Sequence, residues 1–138
     1  MRKRSLSREI ALQVLYQMDI THDPLEQSWD GFWLSSDLEQ IDQPVRDFAR
    51  DLVKGVSENV AAIDEKISSY ARNWELERMA VVDRNILRLG VFELLFRSDI
   101  PPKVSINEAV ELAKKFSELK SGKFVNGILD KVKSERQP

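Results

Sequence analysis

Chemistry in this chain could come from its single histidine, from a lysine bracketed by glycines near the C-terminus, or from its 23 carboxylates. His22 sits in a polar stretch between two helical patterns, with no second histidine and no cysteine to share a metal. It reads as a surface residue. The absence of cysteine removes disulfides, thiolate metal sites and thiol nucleophiles together, and it suits a reducing compartment. Gly122-Lys123-Phe124-Val125-Asn126-Gly127 places two glycines five residues apart, as a phosphate-binding loop does. The second glycine is followed by Ile128-Leu129, where phosphate chemistry needs Lys and then Ser or Thr, and no strand precedes it. The carboxylates fall mostly on polar helix faces or loops, which a solvated surface explains more simply than a general acid and base. Nothing here argues for an enzyme, a cofactor or a metal.

Binding residues are easier to find. Arg2, Lys3, Arg4 and Arg8 cluster in an N-terminal arm that runs into the first helix, and such segments often order on meeting RNA phosphates. In the last third Lys114, Lys115, Lys120, Lys123 and Lys131 gather around a short hinge, residues 117–123, and the helix after it. Ser121 and Gly122 put backbone N–H groups at a helix start, where anions are favoured. Phe124 stands beside this cluster, where an aromatic ring can stack an unpaired base. Its spacing to Ile128 also suits a core position, and the two roles stand side by side. Charge is distributed unevenly: residues 1–18 carry a net +3, residues 19–65 a net −9, and residues 100–138 a net +3. Such a chain can hold a polyanion at its basic ends and a basic partner elsewhere, although solvated faces account for the same pattern.

The elements that must position these residues are helical almost throughout. Ile10, Ala11, Val14, Leu15 and Met18 mark a helix over about residues 6–19. Asp23-Pro24-Leu25-Glu26 reads as a helix start with Asp at N-cap and Pro at N1, turning Leu25, Trp29, Phe32 and Trp33 inward. After a polar connection over 35–43, Pro44 opens a helix with the stripe Val45, Phe48, Ala49, Leu52, Val53 and Val56. A break near 55–59 precedes a stripe of Val60, Ile63, Ile67, Tyr70, Ala71 and Trp74. In the segment from about Val81 to Arg97, nine of the eleven residues from Ile86 to Phe96 are apolar or Gly, so this helix is buried and central. Gly90 in its middle predicts a close crossing by another helix. Arg84 and Arg88 on it predict at least one structural ion pair, with Glu93 or another carboxylate. Pro101-Pro102 ends it, and Ser105-Ile106-Asn107-Glu108 reads as a capping box opening the next helix. Phe124, Val125, Ile128, Leu129 and Val132 mark the last. The expectation is an all-α chain of six or seven helices.

Three stretches, read in order, resemble one family. They are Asp83-Arg84-Asn85-Ile86-Leu87-Arg88, Pro102-Lys103-Val104-Ser105-Ile106-Asn107-Glu108-Ala109-Val110-Glu111-Leu112-Ala113-Lys114, and Ser121-Gly122-Lys123-Phe124-Val125-Asn126-Gly127-Ile128-Leu129-Asp130. With the Arg-rich start and Ala11-Leu12-Gln13-Val14-Leu15-Tyr16, they are similar to the NusB family of transcription antitermination factors. The resemblance spans essentially the whole chain as one RNA-binding domain of residues 1–138 and is weakest over 22–43. It implies two three-helix halves packed together, without catalytic activity. It also implies binding of the boxA element in ribosomal RNA leaders together with NusE, a small-subunit ribosomal protein, and loading onto RNA polymerase with other Nus factors. By the same resemblance, Arg2, Lys3, Arg4, Arg8, Ser121, Lys123 and Phe124 contact RNA, and Tyr16, Glu77 and Asp83 meet NusE. The family varies at position 120, where the basic Lys120 of this chain could strengthen phosphate contact.

Two other readings share these features. A NusB-like domain also heads ribosomal RNA cytosine methyltransferases, but the catalytic domain of such an enzyme has no room in 138 residues. A helical scaffold that binds only protein would leave the basic arm dispensable. Helix periodicity suits a monomer and a homodimer equally. The basic start lacks the apolar run of a signal peptide, and the stretch Ile86–Phe96 is too short and too charged to span a bilayer, so the expected location is the cytoplasm without membrane contact.

Overall fold

Apolar residues at helical spacing build seven α-helices among the described residues, which are 3–38, 40–71 and 75–136 of the computed structural model. No strand occurs among them. The chain divides into two units, Met1–Glu58 and Asn59–Pro138.

The first unit contains α1 (Lys3–Thr21), α2 (Leu25–Ser35) and α3 (Gln43–Glu58). Helix α1 lies along α3, with α2 against both. All six residues of the expected α3 stripe, Val45, Phe48, Ala49, Leu52, Val53 and Val56, are buried, facing Ile10, Ala11, Val14 and Leu15 of α1 within the same unit's core. The start of α1 differs from the sequence expectation: the helix includes Lys3 and does not wait for residue 6. Ser7 explains this, because its hydroxyl donates to the Val45 carbonyl at 2.8 Å and pins the first turns to α3. Helix α1 stops at His22, whose φ of 62° is left-handed, and this histidine is exposed as expected of a turn residue. Pro24, not Asp23, is the residue flanking α2, and of the four side chains expected inward there only Trp29 is fully buried. Leu25, Phe32 and Trp33 are half-buried.

The second unit contains α4 (Val60–Tyr70), a single 3-10 turn (Leu76–Arg78), α5 (Val81–Phe96), α6 (Pro102–Phe116) and α7 (Ser121–Lys133). Helix α5 is central, packed by α4, α6 and α7. The close crossing expected at Gly90 is there: a Cβ at this position would lie 2.6 Å from Cδ1 of Leu129 on α7. Trp74, expected to close the α4 stripe, lies outside the described residues.

One polar expectation is corrected in this unit and another is met. Helix α6 opens at Pro102, three residues ahead of the expected capping box. Proline is preorganised for a first helical turn and has no N–H to leave unpaired there. Ser105 is therefore inside the helix, 1% exposed, and donates to Oε1 of the buried Glu93 at 2.8 Å. The expected ion pair of α5 also forms, with a partner on another helix. The Arg88 guanidinium donates to both carboxylate oxygens of Asp64 on α4, at 2.8 and 2.9 Å. Arg84 donates to the Leu76 carbonyl at 3.4 Å.

Candidate nucleic-acid interface

From Lys3 onward the basic arm is built as helix. Arg2 lies outside the described residues, whereas Lys3 and Arg4 are exposed in the first turn of α1 and Arg8 is buried, 3% exposed. The Arg4 guanidinium lies 4.1 Å from the centroid of the Phe48 ring, and that of Arg8 lies 5.5 Å from it. Lys3 pairs with Asp42 at 3.0 Å. Stacking of this kind contributes roughly 0.5–2 kcal/mol, more where water is excluded. It also fixes the arginines before any ligand arrives, which lowers the ordering cost of binding. No acidic residue occupies the first turn of α1, so the positive end of the helix and the basic side chains reinforce each other. Arg8 departs from its expected place on an open arm: its side chain is buried against Phe48 of α3.

At the second cluster, α6 ends at Phe116 with Ser117 as its C-cap, and α7 begins at Ser121. Lys120 and Lys123 are exposed, and Phe124 is half-buried. Phe124 is absent from the fully buried face of α7, which is formed by Ser121, Gly122, Val125, Ile128, Leu129 and Val132. Ser121 also departs from its expected presentation to RNA. The residue is 7% exposed, and its hydroxyl donates to Oδ2 of Asp83 at 3.0 Å. Ser117 donates to Oδ1 of the same carboxylate at 2.5 Å, and the two serine hydroxyls lie 2.9 Å apart. An anion is thus already present at the start of α7. Of the basic groups here, Lys120 and Lys123 are turned to solvent, beside the exposed Glu118.

The residues expected to meet a protein partner are Tyr16, Glu77 and Asp83. Tyr16 is 38% exposed on α1, one turn before Ile20, which is 51% exposed. Glu77 is exposed in the 3-10 turn of the second unit. Asp83 is half-buried, with both oxygens engaged by the serines. Among the described residues no group of three or more His, Cys, Asp or Glu side chains could hold a metal ion, and no helix is long and apolar enough to cross a membrane.

A sequence profile of the NusB family matches residues 5–134. The chain belongs to the NusB family. Its similarity to the transcription antitermination protein NusB of Anaeromyxobacter dehalogenans (strain 2CP-1 / ATCC BAA-258) is 50% identity over 136 residues, covering 99% of this chain and 94% of that one. Among solved structures, T. maritima NusB superposes with a TM-score of 0.88 at 40% identity, covering 100% of this chain and 94% of that one. A crystal structure of the antitermination factors NusB and NusE in complex with dsRNA superposes with a TM-score of 0.87 at 30% identity, covering 98% of both chains. Membership of the NusB family makes transcription antitermination the function class of the chain.

Within this NusB-family chain, sequence reasoning missed three residues that organise the clusters. Phe48 reads as core in the sequence, yet its ring carries both arginines. Asp42 belongs to a polar connection without an assigned role, and Ser117 to a hinge. Each acts through an interaction between distant positions, so no local pattern signals it.

Proposed function

We propose that this chain binds boxA RNA of ribosomal RNA leader transcripts together with NusE, and so helps load an antitermination complex, with other Nus factors, on RNA polymerase. The observation that carries the reading is its match, over 98% of both chains, to a NusB solved with NusE and RNA. Arg2, Lys3, Arg4 and Arg8 meet phosphates, with Arg4 and Arg8 held against the Phe48 ring. Lys123 meets phosphate at the start of α7, and Phe124 stacks a base with the exposed part of its ring. Ser121 holds this turn in place beneath them. Tyr16 and Glu77 meet NusE. The chain acts as one RNA-binding domain over residues 1–138, performs no catalysis and works in the cytoplasm, where transcripts are made.

The test is RNA affinity with and without purified NusE, for a boxA single strand, the same sequence as a duplex, and a scrambled strand. Tightest binding to boxA in the presence of NusE is the expected result. Equal affinity for boxA and scrambled strands, unaffected by NusE, overturns the reading. Replacing Lys3 and Arg4 with Ala reduces the salt slope by about 0.7 for each single-strand phosphate that is no longer neutralised. Phe124→Ala costs about 1–3 kcal/mol of RNA binding if its ring stacks a base.

A further inference from the structure

Asp83 has a place in the fold that a direct partner contact does not explain. It stands in the first turn of α5, the central helix of its unit. From there its carboxylate reaches two residues distant in sequence, Ser117 at the end of α6 and Ser121 at the start of α7. Each oxygen accepts one hydroxyl, and the hydroxyls lie within hydrogen-bond distance of each other. The segment between the serines has no such anchor in the core: Glu118, Leu119 and Lys120 are all exposed, Leu119 completely. Ser117 has extended backbone after the last turn of α6, so the chain changes direction where its hydroxyl is held.

We propose that Asp83 is a positioning residue for RNA binding. Gripping Ser117 and Ser121, it sets the α6–α7 turn and thereby the placement of Lys123 and Phe124 for an RNA strand. The inference rests on the proposed RNA contact at Lys123 and Phe124, and it moves Asp83 from the partner surface to the RNA site. A flexible turn would have to be ordered on each binding event, at an entropic cost that the carboxylate clamp removes in advance. The carboxylate also places negative charge at the positive end of α7, holding the first turn of the helix without competing for the exposed lysines.

The experiment compares Asp83→Ala, Asp83→Asn, the double variant Lys123→Ala with Phe124→Ala, and the triple variant adding Asp83→Ala. Each is titrated with the boxA single strand and, separately, with purified NusE. Asp83→Ala is expected to weaken RNA binding about tenfold, the size of coupling found within one hydrogen-bond network, with an unchanged salt slope and unchanged NusE affinity. Asp83→Asn can accept one hydroxyl and donate to the other, so it restores most of the affinity. The Asp83→Ala effect disappears when Lys123 and Phe124 are already gone, which a general loss of stability would not produce. If Asp83→Ala does not fold, Ser117→Ala combined with Ser121→Ala replaces it and is expected to weaken RNA binding similarly. Additive losses in the triple variant overturn the inference, as does a loss of NusE affinity with RNA binding intact. If the Lys123 and Phe124 double variant binds RNA normally, the RNA contact at this junction fails, and the positioning role fails with it.

Discussion

Replacing Gly90 with Ala tests how closely α5 and α7 are packed. Two opposed effects meet at this position. Alanine is favoured over glycine inside a helix by about 1 kcal/mol. The added Cβ would lie 2.6 Å from Cδ1, 2.9 Å from Cδ2 and 3.4 Å from Cγ of Leu129. Carbon atoms prefer separations of about 3.5–4.0 Å, so the methyl overlaps both branches of the leucine. Leu129 is 0% exposed and has no solvent to swing into. Overpacking of this kind costs about 1–3 kcal/mol, and overlap with both branches places it in the upper part of that range. The net expectation is a loss of about 1–2 kcal/mol. Leu129→Ala removes both δ carbons and by itself costs about 2–5 kcal/mol. In that background Gly90→Ala meets no overlap and stabilises by about 1 kcal/mol, the helix preference alone. The same substitution therefore changes sign, with a coupling of about 2–3 kcal/mol between the positions. Urea unfolding of the four proteins, followed by circular dichroism, measures it. Equal effects of Gly90→Ala in both backgrounds refute the reasoning, because Leu129 would then yield without cost.

Ser105→Ala takes a hydroxyl donor from the buried Glu93 and lowers stability by about 1–3 kcal/mol; an unchanged urea midpoint would show that the bond contributes nothing. Arg88→Lys keeps the charge but loses the two-pronged bond to Asp64, and costs about 1–3 kcal/mol in the same assay. At the C-terminal end Glu135 accepts from Lys66 at 2.6 Å and from Tyr70. The Lys66 bond, with Tyr70 adding to it, holds the Glu135 carboxyl below its usual 4.5, so the stabilisation is present above that value and lost as pH falls through the lowered one. The same bond raises Lys66 above 10.5, so at the alkaline end the stabilisation persists to that value and is lost only beyond it. Glu135→Gln should flatten the acid limb of the melting temperature against pH, and a wild-type acid limb that survives the substitution excludes the clasp as its cause.

Much of the fold was legible because apolar burial repeats with the helix. The α3 stripe and the buried α5 follow from spacing alone, and Gly90 announced its crossing because a glycine inside a buried helix costs stability that close packing must offset. Helix starts were less legible. Ser105 and Glu108 have the spacing of a capping box, yet Pro102 could start the helix earlier and a buried carboxylate claimed the serine hydroxyl. At the candidate site, residue types were readable and their orientations were not. Arg8 and Ser121 sit among exposed basic residues in sequence, but the ring of Phe48 and the carboxylate of Asp83 draw them inward. Those partners lie 40 and 38 positions away, a separation over which helical periodicity carries no information.

The polar groups of α5 show how an apolar helix acquires a specific set of neighbours. Hydrophobic burial is non-directional, so a helix apolar nearly all round can be covered by several arrangements of its partners. Hydrogen bonds are directional, and a buried polar group left unpaired is costly. Along α5, Asp83 engages the two ends of the α6–α7 turn, Arg88 engages α4, and Glu93 engages α6. Gly90 adds a steric constraint by admitting Leu129 of α7 where a larger residue would not. Each neighbour is thus tied to its own level of the central helix, and a slide by one turn would strand a carboxylate or drive Leu129 into a side chain. The same ties place Lys123 and Phe124, since the helix that carries them is held both by its leucine at Gly90 and by its first serine at Asp83. The start of α7 is therefore set by the buried face of α5 and not by the lysines themselves.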